Sequence, residues 1–287
     1  MGEIVFAAGV PHAPSLVGLF ERAPAGVQEV VRASYDALAA GLRAARPDVI
    51  IIFANDHITN NRISAYPDFL IGTGDTHRGP FEWFKEWIGC RDWQVRGDRK
   101  VADALFRGMT RRGIRMFAAD DLKFDDNISV PVVMTDLDAS GIPIVPVMQN
   151  CTVPPLPEQE RCYEVGRALR DIIEREMPAG LRVALIGSGG LSHEPGGSRY
   201  YLIDEEFDRW FLDLCCAGDH ERVLKELTFD RMEASGSGGT CELLAWVVIM
   251  GAIGKCRGKS FGYAGHVDFR CGFGAVIWDL ASAKLAA

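Results

Sequence analysis

The sequence predicts an α/β fold built as one large domain over residues 1–287, and three observations lead there. Short, nearly continuous apolar runs recur at residues 4–8, 49–53 and 182–186, the pattern of strands covered on both faces. Between them lie stretches with apolar residues at helical spacing, such as Val27, Val31, Tyr35, Leu38 and Leu42. Finally, 48% of the 287 residues are hydrophobic, enough to fill the core of a single large unit.

Taken in order, the first strand stops at Gly9-Val-Pro-His-Ala-Pro-Ser15. Two prolines flank His12, and because proline fixes φ and restricts its predecessor, that histidine sits in a stiff loop just past a strand end. The helix marked by Val27 to Leu42 is ended by Pro47, and the central strand at 49–53 runs straight into Asn55-Asp56-His57. Ligands of open α/β sheets bind outside the carboxyl ends of the strands, where both histidines fall. Asp56 either orients a partner or caps the following turn.

Residues 73–99 lose this pattern and become rich in Gly, Asp, Arg and aromatics, including Trp83, Phe84 and Trp87. They read as a long excursion of the lid, binding-loop or interface kind, with His77 exposed to solvent. Val101, Leu105 and Met109 mark a helix and residues 114–118 a short strand. The polar loop at 120–127 then delivers Asp125 and Asp126 to a proline-restricted segment, as a cap or as part of a site. A strand at 144–148 and an amphipathic helix over 156–177 follow.

The strand at 182–186 opens into Gly187-Ser-Gly-Gly-Leu-Ser-His193. This loop lacks the third glycine of a dinucleotide fingerprint, the lysine of a P-loop and the spacing of a nucleophile elbow. What remains is a glycine turn carrying His193 to another strand end. Ile203, Phe207, Phe211 and Leu214 mark the next helix, and His220 reads as a helix start on the surface. From Cys241 the chain is apolar to Ile253 except for Glu242, and a helix apolar all round is buried. A buried carboxylate is costly unless paired, hydrogen-bonded or bound to metal, so Glu242 is either a helix-capping glutamate near the surface or a ligand.

Composition narrows the function. The net charge is −8, the isoelectric point is about 5.3 and no basic cluster is interleaved with aromatics, which argues against nucleic acid. No apolar run approaches the roughly 18 residues of a membrane helix, and no signal-like segment follows Met1, so a cytoplasmic location is expected. The eight cysteines form no C-x-x-C pair and read as reduced thiols. Three histidines past strand ends (His12, His57, His193) and one buried-helix carboxylate (Glu242) contain the two imidazoles and carboxylate of a non-haem Fe(II) facial triad. Spacing does not say which two histidines would bind.

Four loops in order, Pro11-His12, Asn55-Asp56-His57, Gly187 to His193 and Ser235-Gly-Ser-Gly-Gly-Thr-Cys-Glu242, make the chain resemble the class III extradiol ring-cleavage dioxygenases, the family that includes the catalytic β subunit of protocatechuate 4,5-dioxygenase. The resemblance covers most of the chain. It implies a mixed central sheet flanked by helices, with a metal site in a deep cleft at strand ends. It further implies Fe(II) held by His12, His57 and Glu242, His193 as acid and base, and an aromatic diol plus O2 as substrates. The protein would be a homo-oligomer or work with a small second subunit. A zinc metallohydrolase with the same ligands and a non-catalytic partner subunit are the competing readings.

One departure stands out. The family commonly carries Asp-His where this chain has Asp125-Asp126. A carboxylate accepts hydrogen bonds where imidazole can donate. Asp126 as a substrate-contacting residue therefore suggests a ring N–H, as in a dihydroxypyridine or hydroxypyridone, beside the ordinary catechols.

Overall fold

In the computed structural model, which describes residues 1–283, strands and helices alternate along most of the chain. β1 (Glu3–Val10) leads through the short α1 (Ser15–Gly18) into the long α2 (Ala25–Ala45). β2 (Val49–Asn55) and β3 (Phe69–Gly72) precede a two-stranded ribbon, β4 (Thr76–Gly79) and β5 (Trp93–Arg96), with α3 (Glu82–Ile88) between its strands. Next come α4 (Arg99–Arg111), β6 (Phe117–Ala119), α5 (Asp126–Met134), β7 (Ile144–Gln149), α6 (Gln159–Glu176) and β8 (Arg182–Ser188). Three helices, α7 (Glu205–Ala217), α8 (His220–Glu226) and α9 (Phe229–Ser235), lead through a tight turn at Thr240–Leu243 into α10 (Leu244–Ile253). Short strands β9 (Gly258–Ser260), β10 (Ala264–His266), β11 (Cys271–Phe273) and β12 (Val276–Trp278) follow.

Eight strands form one sheet in the order β6-β3-β7-β2-β8-β1-β12-β9. The central four, β7, β2, β8 and β1, run parallel, whereas β3 against β7 and β12 against β1 are antiparallel, so the sheet is mixed. Every residue of β2 is buried. Val49, Ile51 and Phe53 pack into the core that contains α6 and α10, and Ile50, Ile52 and Ala54 into the one that contains α2. Burying each such aliphatic side chain contributes roughly 1.5–3 kcal/mol, and a one-residue slip would exchange the two faces. On the first face α6 and α10 touch backbone to backbone: a Cβ on Gly251 would sit 2.2 Å from the Tyr163 carbonyl oxygen. A side chain there would force the helices apart.

The excursion at 73–99 is not a structureless loop but the β4–α3–β5 unit, and His77 is buried at 3% exposure, against the expectation of an exposed residue. β4 points it inward, edge-on to Phe124. His220 does begin α8, yet it is 1% exposed because its ring packs on Tyr163 of α6 and meets that hydroxyl at 3.1 Å. The strand expected at 114–118 shrinks to Phe117–Ala119, and Pro131 lies inside α5 rather than before it. Among the described residues no helix is long and apolar enough to cross a membrane.

Candidate active site

Neighbouring strands β2, β8 and β1 end side by side, which is what gathers three loops from distant parts of the chain. β1 delivers His12, β2 delivers His57, and β8 delivers the glycine turn and His193. The turn ahead of α10 supplies Glu242, and the start of α5 supplies Asp125 and Asp126. All of these line a cavity of about 580 Å³ at the carboxyl ends of the parallel strands.

The carboxylate of Glu242 is the meeting point. Its oxygens lie 3.2 Å from His12 Nε2, 3.0 Å from His57 Nε2 and 3.3 Å from His193 Nε2. The Gly190 amide donates to Glu242 Oε2 at 2.7 Å. This contact explains the glycine turn: a Cβ on Gly189 would be 2.4 Å from the Glu242 carbonyl oxygen, and one on Gly190 would be 2.5 Å from the His193 ring. Any side chain at either position would push the loop off the carboxylate or off the imidazole.

Each imidazole is held from behind. The Ser188 hydroxyl donates to the Asn127 carbonyl at 2.7 Å, so its oxygen is free to accept from His12 Nδ1–H at 2.9 Å. His57 Nδ1 faces Asp125 Oδ2 at 3.2 Å, a carboxylate also bound by the Thr59 hydroxyl and the Asn127 amide. His193 Nδ1 donates to the Leu191 carbonyl at 2.8 Å. A carboxylate only accepts, so His57 Nε2, 3.0 Å from Glu242 Oε1, donates to it; with that proton lost, the one left on Nδ1 would turn the Nε2 lone pair toward Glu242. Outer partners of this kind set the tautomer and basicity of metal-binding histidines.

Asp126 stands on the other side of the pair. Its Oδ1 is 3.2 Å from His57 Nδ1 but is not aligned for a hydrogen bond, and no other group satisfies it. His12, His57 and Asp126 each offer a ligand atom within 4.8 Å of the others. Burial pushes the Asp126 carboxyl up, with the neighbouring Asp125 charge adding to the rise. Burial also works against ionising Glu242, yet His12 and His193 hold its carboxyl well below the usual range. His57 is pulled down by burial and more than restored by Asp125 and Asp126, so its pKa lies well above that of free imidazole. His193 follows the same pattern, with Glu242 as the main charge raising it.

The donor set fits a divalent cation. Three buried carboxylates, Glu242, Asp125 and Asp126, have only histidines as ionic partners among the described residues. Replacing the imidazole Nε2 protons by a cation would keep that charge compensated, since metal binding requires the rings to be deprotonated there. His12 Nε2 is buried and without a hydrogen bond despite its closeness to Glu242, the arrangement of two donors aimed at a common third atom. Two imidazole nitrogens and a carboxylate suit Fe(II) of the facial-triad type.

The structure thus gathers His12, His57, His193, Glu242 and Asp126, all singled out in the sequence. Arg270 also lines the cavity, its guanidinium resting on the Tyr200 ring and donating to the Tyr200 hydroxyl. His266 does not line it; its Nδ1 accepts from the Asp268 amide. Sequence reasoning missed Ser188, discarded as a nucleophile, and Thr59, and it left Asp125 undecided. Their roles depend on what lies opposite them, which no local pattern encodes.

Comparison with known proteins places the chain in a family. A dioxygenase named 2,3-dihydroxyphenylpropionate/2,3-dihydroxicinnamic acid 1,2-dioxygenase, from Burkholderia vietnamiensis, is 26% identical over 92% of this chain and 94% of its own length. A protein of the same name from Photorhabdus laumondii is 29% identical over 64% of this chain, a match spanning 54% of that relative. The crystal structure of an uncharacterized protein from Escherichia coli K12 superposes with a TM-score of 0.58 over 95% of this chain and 99% of that one; at 13% identity it speaks for the fold alone. The model of the catalytic LigB subunit of aromatic ring-opening dioxygenase matches residues 6–274, and the chain belongs to that family.

Proposed function

We propose that the protein is an oxidoreductase that opens a vicinally dihydroxylated aromatic ring with O2, extradiol fashion, using Fe(II) held by His12, His57 and Glu242. Residues 1–287 act as one catalytic domain. The observation that carries this reading is the convergence of two imidazole Nε2 atoms on one buried carboxylate, 3.2 and 3.0 Å away, with both Nδ1 atoms engaged behind them. A metal held by His12, His57 and Glu242 would supply Lewis-acid polarisation of the diol oxygens and a common meeting point for diol and O2. The names of the relatives support an aromatic diol as substrate.

The residues of the chain supply binding and proton handling. His193 has its Nδ1 proton committed to the Leu191 carbonyl, so Nε2 is the atom that takes a proton from a substrate hydroxyl and returns it later. Asp126, which lines the cavity and whose Oδ1 has no hydrogen-bond partner, would accept as a carboxylate from a donor on the substrate. A ring N–H provides such a donor, so a dihydroxypyridine or hydroxypyridone stands as a candidate substrate class beside the catechols.

Purification under anaerobic conditions with Fe(II), followed by oxygen uptake over a panel of catechols and N-heterocyclic diols, tests the reading. Uptake with ring opening is expected, faster on the N-heterocycles if Asp126 accepts from a ring N–H. Equal or better turnover of protocatechuate defeats the role given to Asp126. No uptake with any diol, together with hydrolysis supported by zinc, defeats the dioxygenase.

A further inference from the structure

The cavity is larger and less polar than a lone dihydroxylated ring requires. Its volume of about 580 Å³ lies within the roughly 300–1,000 Å³ of pockets for drug-sized ligands. One end is the imidazole and carboxylate cluster. The other is an arm between α1 and α3, lined by Pro14, Leu19, Trp83, Phe84, Trp87 and Ile88. Of the polar groups these segments bring to the cavity, the Ser15 hydroxyl is engaged by the Phe269 carbonyl, and Arg22 is the one charge. The arm has a firm floor, because Gly18 packs so closely on α3 that a Cβ there would be 2.8 Å from the Ile88 carbonyl oxygen.

Its wall is a strip of rings. Phe84 is buried and stands edge-on to Trp83 at 5.4 Å and to Trp87 at 5.1 Å. Trp83 and Trp87, four residues apart, share a face of α3 and are 60% and 57% exposed. Two indoles left open to water on the lining of a reaction cavity forgo burial that an apolar ligand group would restore. Because the strip and the imidazole cluster line one cavity, a substituent on a ring held at that cluster has a path to the strip inside it.

We propose that the substrate carries an apolar, aryl-sized substituent that lies along the Trp83–Phe84–Trp87 strip, making Trp83 and Trp87 specificity-determining residues. The proposal rests on the ring-opening reading for the reacting end and is independent of whether that ring is carbocyclic or contains nitrogen.

The test compares kcat/KM for catechol with those for 2,3- and 3,4-dihydroxybiphenyl in the Fe(II)-loaded protein and in its Trp83→Ala, Trp87→Ala and Trp87→Phe variants. Indole fluorescence quenching by the same diols is read in protein without added metal. The wild type is expected to favour a biphenyl diol over catechol by about tenfold or more, the alanine variants to lose about tenfold of that ratio, and Trp87→Phe to recover most of it. Quenching by the biphenyl diols should weaken in the alanine variants. A wild type with no such preference, alanine variants with an unchanged ratio, or alanine variants that instead change the oligomeric mass would each overturn the proposal, the last by assigning the strip to a protein contact. If no diol is consumed, the ring-opening reading fails while the fluorescence titration still decides whether the arm takes an aryl group.

Discussion

Ser188 Oγ lies 2.9 Å from His12 Nδ1 and turns the opposite nitrogen of that ring toward Glu242. The serine sits at the last position of β8 and the histidine two residues past the end of β1, so parallel pairing of two strands sets the tautomer of a proposed ligand. Ser188→Ala should leave the fold intact and weaken Fe(II) binding by about 10–100-fold, as loss of an outer partner does at other metal sites. Metal titration against a chelator measures it.

Removing the carboxylate has a larger effect. Glu242→Ala should abolish metal-dependent oxygen uptake, and it should also erase the rise in melting temperature that Fe(II) gives the wild type. Metal that binds only the folded state at 100 times its Kd stabilises it by about 2.7 kcal/mol. A variant that still gains stability from Fe(II) would return the ligand role to Asp126, the third member of the His12 and His57 group.

His193→Gln separates proton transfer from metal binding. Fe(II) affinity should remain close to that of the wild type, and kcat should fall by about 10²–10⁴-fold, the usual range for loss of a positioned acid and base. Single-turnover oxygen uptake at several pH values reads this, and parallel losses of iron and activity would count against the assignment.

Asp56 holds the His57 loop. Its buried carboxylate accepts from the Thr59 and Asn60 amides, the Asn60 and Asn61 side chains and the Tyr66 hydroxyl. The loop passes through Ile58 at φ 60°, a left-handed conformation that a β-branched residue rarely takes. Asp56→Ala should destabilise the protein by about 3 kcal/mol or more by stranding those donors, and should weaken metal binding through the freed His57. Chemical denaturation with and without Fe(II) distinguishes the two effects.

Acid should destabilise the fold through two histidines remote from the proposed metal ligands. Burial lowers the pKa of both His77 and His220 to about 4. An unfolded chain takes up their protons near 6.5, so between about pH 6.5 and 4 the unfolded state binds more protons and stability falls as pH falls. Each contributes a loss of about 3 kcal/mol across that window. His220→Gln, which keeps a polar contact for Tyr163, should flatten the pH dependence of the denaturation midpoint.

The amino-acid sequence alone determined the α/β alternation and the position of His12, His57 and His193 past strand ends, because strand runs, prolines and glycines act over a few residues. It also exposed Glu242, whose charge in an apolar run is legible without any partner. The pairing order β2-β8-β1 was decided only in three dimensions, and with it which loops meet, which hydroxyl and carboxylate stand behind each imidazole, and that Asp126 faces His57. The burial of His77 and His220 and the aromatic arm beside α3 belong to the same class. These features depend on contacts between residues far apart in the chain, and burial is a property of everything that packs around a side chain rather than of its neighbours in sequence.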